Sequence, residues 1–184
     1  LSDLVIKWDT LRKSNASSAA VEAITEQIGR ELRRDLAENR AQVEAAEKEV
    51  KQSEKELRKS RREVRKERKD GDRSRGELKD DVKDRRDDRG DLKDDAKDAE
   101  AARELLEKKQ KTAQELITLQ KQIDAAGERI DKQLMDRQSD LLERYLELSQ
   151  QEIKMGLREA REDRSEWRED RGERREDRRE KLKI

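Results

Sequence analysis

Apolar residues recur every three or four positions through the opening stretch LSDLVIKWDTLR, which puts Leu1, Leu4, Trp8 and Leu11 on one face of a helix. A short amphipathic helix is therefore expected over 1–13, with Ser2 as its N-cap and Asp3 in its first turn. The run SNASS at 14–18 breaks the pattern and offers Ser18 as the cap of a longer helix. That helix carries Val21, Ile24, Ile28, Leu32, Leu36, Val43, Val50, Leu57 and Val64 at spacings built from three, four and seven.

The next break is KDGDRSRGELKDD, 69–81. Arg65, Lys66, Arg68 and Lys69 crowd the preceding turn, where a helix C-terminus favours cations. Gly71 suits the left-handed position that ends a helix, and Ser74 with Glu77 has the spacing of a capping box. A turn is expected there. Against it, the column Leu36, Val43, Val50, Leu57, Val64, Leu78, Leu92, Ala99 and Leu106 keeps one seven-residue phase throughout, as a single rod would. Such a rod would be about 270 Å long at 1.5 Å per residue. A weaker break falls at Gly127, whereas Gly90, Gly156 and Gly172 read as glycines tolerated inside helices. The expected fold is all-α: a short N-terminal amphipathic helix, then an elongated antiparallel three-helix coiled-coil bundle running up-down-up. Its helices lie near 18–69, 77–126 and 129–184, forming one domain over 18–184.

The last helix poses a problem, because REDR repeats at heptad spacing and fills the seam with Arg161, Arg164, Arg168, Arg171, Arg175 and Arg178. The middle helix carries a matching acidic stripe of Asp80, Asp84, Asp87, Asp91, Asp94 and Asp98. Antiparallel pairing of Asp98 with Arg161, Asp94 with Arg164, Asp91 with Arg168, Asp87 with Arg171, Asp84 with Arg175 and Asp80 with Arg178 keeps one register, centred beside Gly127. The same register sets Ala102 against Leu157, Leu106 against Ile153, Ala113 against Leu146 and Ile117 against Leu142. In the first hairpin Val64 would face Val82, and Val50 would face Ala96. A second complementary pair of stripes joins the parallel outer helices. Lys51, Lys55, Arg58, Arg62, Arg65 and Lys69 match Glu162, Glu166, Glu169, Glu173, Glu176 and Glu180 at a constant offset. One half of the bundle thus has Val, Ile and Leu seams, and the other is lined mostly by charge.

Composition narrows the function. Of 184 residues 52% are charged and 2% aromatic, which suits long helices in a proline-free chain with heptad order. The 48 basic residues balance 48 acidic ones, so no global field favours nucleic acid or an anionic membrane. The absence of Cys and His removes thiolate and imidazole chemistry, no cofactor or metal is expected, and a narrow bundle offers little pocket for an enzyme. No apolar run reaches transmembrane length. A chain that starts at Leu1 suggests processing or a fragment.

Three motifs have bland explanations. Arg89-Gly90-Asp91 spells an adhesion triplet but lies inside a heptad array. Asp70, Asp72 and Ser74 resemble the start of a calcium loop whose glycine is displaced to Gly76. The basic run 58–69 lacks interleaved aromatics and would lie beside an acidic segment, which makes nucleic acid an unfavoured partner.

In outline the expected shape resembles spectrin-type three-helix repeats and the coiled-coil ectodomains of secreted type III translocators. The expectation is a non-enzymatic structural or interaction protein, a charged coiled-coil strut within a larger assembly, with other proteins or itself as partner. A secreted translocator- or tip-like coiled coil and an electrostatic nucleic-acid- or filament-binding module are the alternatives. Leu4, Trp8 and Leu11 are candidate partner-docking residues, unless that face caps the bundle's own core.

Overall fold

The computed structural model describes residues 1–14, 18–70, 75–126 and 132–181, less the side chains of 18, 67–70, 75–81, 166, 169, 170, 173, 174 and 176–181. Among the described residues the chain is all-helical: α1 (Ser2–Lys13), α2 (Ser18–Asp70), α3 (Arg75–Ala126) and α4 (Lys132–Lys181). Leu1, not Ser2, is the N-cap residue of α1, and its carbonyl accepts from the Val5 N–H at 3.0 Å. This start brings Val5 into the buried face beside Trp8. Arg12 and Lys13 occupy the last turn, and the Ser14 N–H donates to the Thr10 carbonyl at 3.1 Å. The side chain of Ser18, the proposed turn residues Gly71 and Ser74, and Gly127 lie outside what is described.

Contacts between the long helices fix their direction. From α2 to α3, Asp35 meets Lys109, Glu47 meets Arg103, and Ser53 meets Asp95. From α3 to α4, Gln120 meets Gln138, Lys109 meets Glu152, and Asp98 meets Arg158. Residue numbers fall along one helix as they rise along its neighbour, so adjacent helices run in opposite senses and a single continuous rod is excluded.

The core sits at the end of the molecule where α1 packs. Val5 and Trp8 of α1 join Ile24, Ile28 and Leu32 of α2, Ala113, Leu116, Leu119 and Ile123 of α3, and Leu141, Leu142 and Tyr145 of α4. The periodicity of α2 is obeyed along its length: Val43, Leu57 and Val64 are also buried, and Val21, Leu36 and Val50 are half-buried.

The pairings expected for α3 and α4 need correction. Ile117, Ile153 and Leu157 are exposed, and so is Ala96, which was expected to face Val50. Of the α4 residues expected in the seam, Leu142 is buried and Leu146 half-buried; they are joined by buried Gln138, Leu141, Tyr145 and Leu148, with Glu152 and Met155 half-buried beyond them. Relative to the anticipated phase, α4 is turned about its own axis so that Ile153 and Leu157 point outward. Gly90, Gly156 and Gly172 sit within α3 and α4 with open space where a Cβ would be.

A polar knot explains that rotation. Lys109 is fully buried, and its Nζ donates to Asp35 Oδ2 at 2.9 Å and to Glu152 Oε2 at 2.5 Å. The Tyr145 hydroxyl donates to the same Asp35 oxygen at 2.6 Å, and the ammonium stands 5.4 Å from the Tyr145 ring centroid. A buried ammonium is tolerated only with its charge and hydrogen bonds satisfied. Turning α4 to bury Ile153 would pull Tyr145 and Glu152 away from their partners. Burial and the bond to Asp35 both raise the Tyr145 pKa, so the phenol stays a donor across the working pH range.

Replacing Lys109 with Met strands two carboxylates and should destabilise the fold by about 3–5 kcal/mol, the usual cost of breaking a buried ion pair. Adding Asp35→Asn and Glu152→Gln to Lys109→Met should recover most of the loss in urea denaturation. A triple variant no more stable than the single one would mean that packing by the lysine stem is what matters.

Candidate interaction surface

Beyond the core, the three long helices diverge in character. The α4-facing strip of α3 starts with Ile123, Leu119, Leu116, Thr112, Lys109 and Leu105, all buried. At helical spacing the same strip continues as Asp98, Asp94, Asp91 and Asp87. Asp98 is half-buried, and the other three are exposed. On α4, the strip that starts at Leu141, Tyr145 and Leu148 continues through Glu152 and Glu159 to Asp163. Two acidic strips would therefore face each other if α4 stayed against α3. Like charges at such spacing repel.

The titration of these groups reflects that crowding. Burial, then Asp98, Glu49 and Asp163, push the Glu159 carboxyl above its ordinary range. Partial loss of solvent around its carboxyl and the neighbours Asp95, Asp88, Asp87 and Asp94 do the same to Asp91. Asp94 moves the other way, held down by its bond to Lys97 one turn along. The side of the α2–α3 hairpin near Val64 is a cleft edged by Glu56, Glu63, Asp84 and Asp88, with Lys59 also lining it.

Packing follows the charge. Arg158, whose Nη2 lies 3.1 Å from Asp98 Oδ1, marks the edge of the contact, and every described side chain from 160 to 175 is exposed. Trp167 is 61% exposed, and the Arg171 guanidinium stands 5.2 Å from its ring centroid.

The complementary stripes read from the sequence therefore occupy different surroundings from those expected. Arg161, Arg164, Arg168, Arg171 and Arg175 are exposed, and among the described residues no ion pair ties any of them to α3. The cross-helix partner of Asp98 is Arg158, three residues before Arg161, because Arg161 lies nearly half a turn from the core-facing strip of α4. Asp84, Asp87, Asp91 and Asp94 line the exposed surface of α3, while the side chains of Asp80 and Arg178 lie outside the described residues. On α2, Lys51, Lys55, Arg58, Arg62 and Arg65 are exposed; Arg58 is 3.6 Å from Glu54 of its own helix. Glu162 pairs with Arg158 within α4 at 3.1 Å, and the side chains of Lys69, Glu166, Glu169, Glu173, Glu176 and Glu180 lie outside the described residues. The expected α2–α4 ladder is not assembled among the side chains that are described.

The docking face expected on α1 also needs correction. Trp8 is 1% exposed, and Leu4 and Leu11 are half-buried against the molecule's own core, so that face is already occupied. Arg12 anchors it by stacking over Trp8 at 5.3 Å and reaching Asp136 of α4 at 3.6 Å. Ile6 is the large apolar side chain that α1 turns outward. Arg89-Gly90-Asp91 lies within α3, where a helical backbone cannot present it as an adhesion loop.

Sequence reading did not find Lys109, Asp35, Tyr145 and Glu152. One signal was available: Lys109 stands on the stripe of Leu105, Thr112 and Leu116, and an isolated charge within an apolar seam often sets register. No helix of the described chain is long and apolar enough to cross a membrane, and the described residues contain no cluster of metal-ligating side chains. No protein-family model, no curated protein and no solved structure matches the chain.

A pH dependence follows from Glu159. Its folded-state pKa is raised, so the folded state holds the proton longer, and stability falls as pH rises through the interval above the ordinary carboxylate value. Glu159→Gln should therefore melt higher than the parent at neutral pH. The difference should vanish below the ordinary carboxylate range, where Glu159 is protonated in both states. An equal difference at both pH values would trace the effect to something other than charge.

Proposed function

We propose that the chain is a non-enzymatic structural and interaction protein, a charged helical strut that works within a larger assembly. In this reading α2, α3 and α4 form an elongated antiparallel three-helix coiled coil over the apolar end, capped by α1. The distal end presents charged helix faces to partners. The observation that carries it is the contrast along α4: Leu141 to Leu148 are clamped into the core, whereas the described side chains from 160 onward remain helical and exposed. A helix that spends half its length out of its own core is suited to contact something else. Burial of Trp8 supports the division of labour, since it commits α1 to holding the bundle together.

Small-angle scattering tests the strut. Helices of about 50 residues at 1.5 Å per residue should give a longest dimension of about 75–85 Å, whether one copy or two lie side by side. A compact globule, or the scattering of an expanded coil, would overturn this function.

A further inference from the structure

We propose that the arginine row of α4 docks on the aspartate strip of α3 in a second copy of this chain, giving a reciprocal two-fold dimer. This rests on the strut reading above and names its partner.

Three observations select a second copy. The first is complementarity of spacing: Arg161, Arg164, Arg168 and Arg171 match Asp98, Asp94, Asp91 and Asp87 when the helices run antiparallel. Both rows lie at the same distal end of the molecule, and apart from Asp98 both are exposed. One chain thus carries both halves of the contact, as an isologous interface requires.

The second observation is that the chain's own α4 cannot make this contact. Tyr145 and Glu152 fix its rotation through Asp35 and Lys109, and the helix runs unbroken from Lys132 to Lys181. With that setting, the arginine row points nearly half a turn away from α3. Coiled-coil supercoiling shifts a face by only about 20° per heptad, too little to bring the row round within two heptads. Past the Arg158–Asp98 ion pair, what α4 turns toward its own α3 is acidic, Glu159 and Asp163, and the described side chains of α4 from 160 onward are exposed. A neighbouring molecule's α4 is under no such constraint, because its arginines already point outward.

The third observation is apolar. Ile153 and Leu157 are 62% and 56% exposed, and they lie on the same face of α4 as the arginines, at the base of the row. Two copies lying side by side, same way up, would bring these residues together along the two-fold axis. From there each α4 would run over the other copy's α3, placing Arg164 by Asp94, Arg168 by Asp91 and Arg171 by Asp87 of the second copy. The crowded carboxylates around Asp91, which raise one another's affinity for protons, would gain counter-charges.

The test uses the full chain in two charge-reversed forms. Arg164, Arg168 and Arg171→Glu gives one variant, and Asp87, Asp91 and Asp94→Arg gives the other. All six positions are exposed, so circular dichroism should show each variant still helical. By light scattering at low salt, the parent should have twice the monomer mass and each variant alone should be a monomer. An equimolar mixture of the two should return to twice the monomer mass, since each acidic row then meets a basic one. Molar salt should dissociate the parent and the mixture, because exposed ion pairs are screened.

The chain contains no cysteine, which permits a direct check. Mixed and oxidised, an Asp91→Cys chain and an Arg168→Cys chain should form a covalent heterodimer. The two cysteines placed in one chain should link between molecules, not within one. A monomeric parent at low salt, a mixture that stays monomeric, or an intramolecular disulfide would overturn the dimer. In each of those cases an unchanged scattering length would leave the strut reading standing, whereas loss of the elongated shape would remove both.

Discussion

The buried ammonium of Lys109 is the constraint on which the arrangement depends. It lies where α2, α3 and α4 converge, and it is satisfied by Asp35 from one side and Glu152 from the other, with Tyr145 sharing Asp35. Apolar packing alone is indifferent to small rotations, since leucines and isoleucines on adjacent phases bury similar area. A charge with two named partners is not. It sets the axial position of each helix and, for α4, which face looks inward. Everything distal on α4 inherits that choice, because a continuous helix carries a rotation along its whole length.

This division accounts for what was legible in the sequence. The column from Val21 to Val64 is unambiguous, as apolar residues recur there on one phase against a polar background, and α2 buries it. The breaks near residues 14–18, 70–76 and 127 were marked by glycine, serine and clustered charge, and the helices end beside them. The phase of α4 was not legible. Two apolar rows compete there, one through Leu142, Leu146, Ile153 and Leu157, the other through Leu141, Tyr145, Leu148 and Met155. Each offers four apolar letters, so counting does not decide between them. Satisfying Lys109 selects the second, and that demand becomes visible only once α3 is placed beside α4. The charge stripes went astray for the same reason: their complementarity is present in the sequence, but their rotation is not.

Neutral composition conceals strong segregation. The chain's charges cancel in total, yet α3 carries aspartates along one strip while α4 carries arginines along a face turned away from it. Past the Arg158–Asp98 ion pair, the carboxylates of Glu159 and Asp163 add no attraction toward the acidic strip of α3. Exposed ion pairs contribute little singly. Their arrangement nonetheless decides whether a helix half lies down or stands free.

The unbroken register of α4 makes chain length a variable in its own right. Each residue advances a helix by about 100°. A chain lacking one residue between Glu159 and Arg161 would keep nearly the same composition and the same core, but its arginines would swing by about 100° toward its own aspartates. The molecule would turn charge of opposite sign toward its own neighbour and lose the face it otherwise shows. Between relatives of this protein, a single-codon deletion at that point would matter more than many substitutions, because it changes the direction in which the charge points without changing the charge.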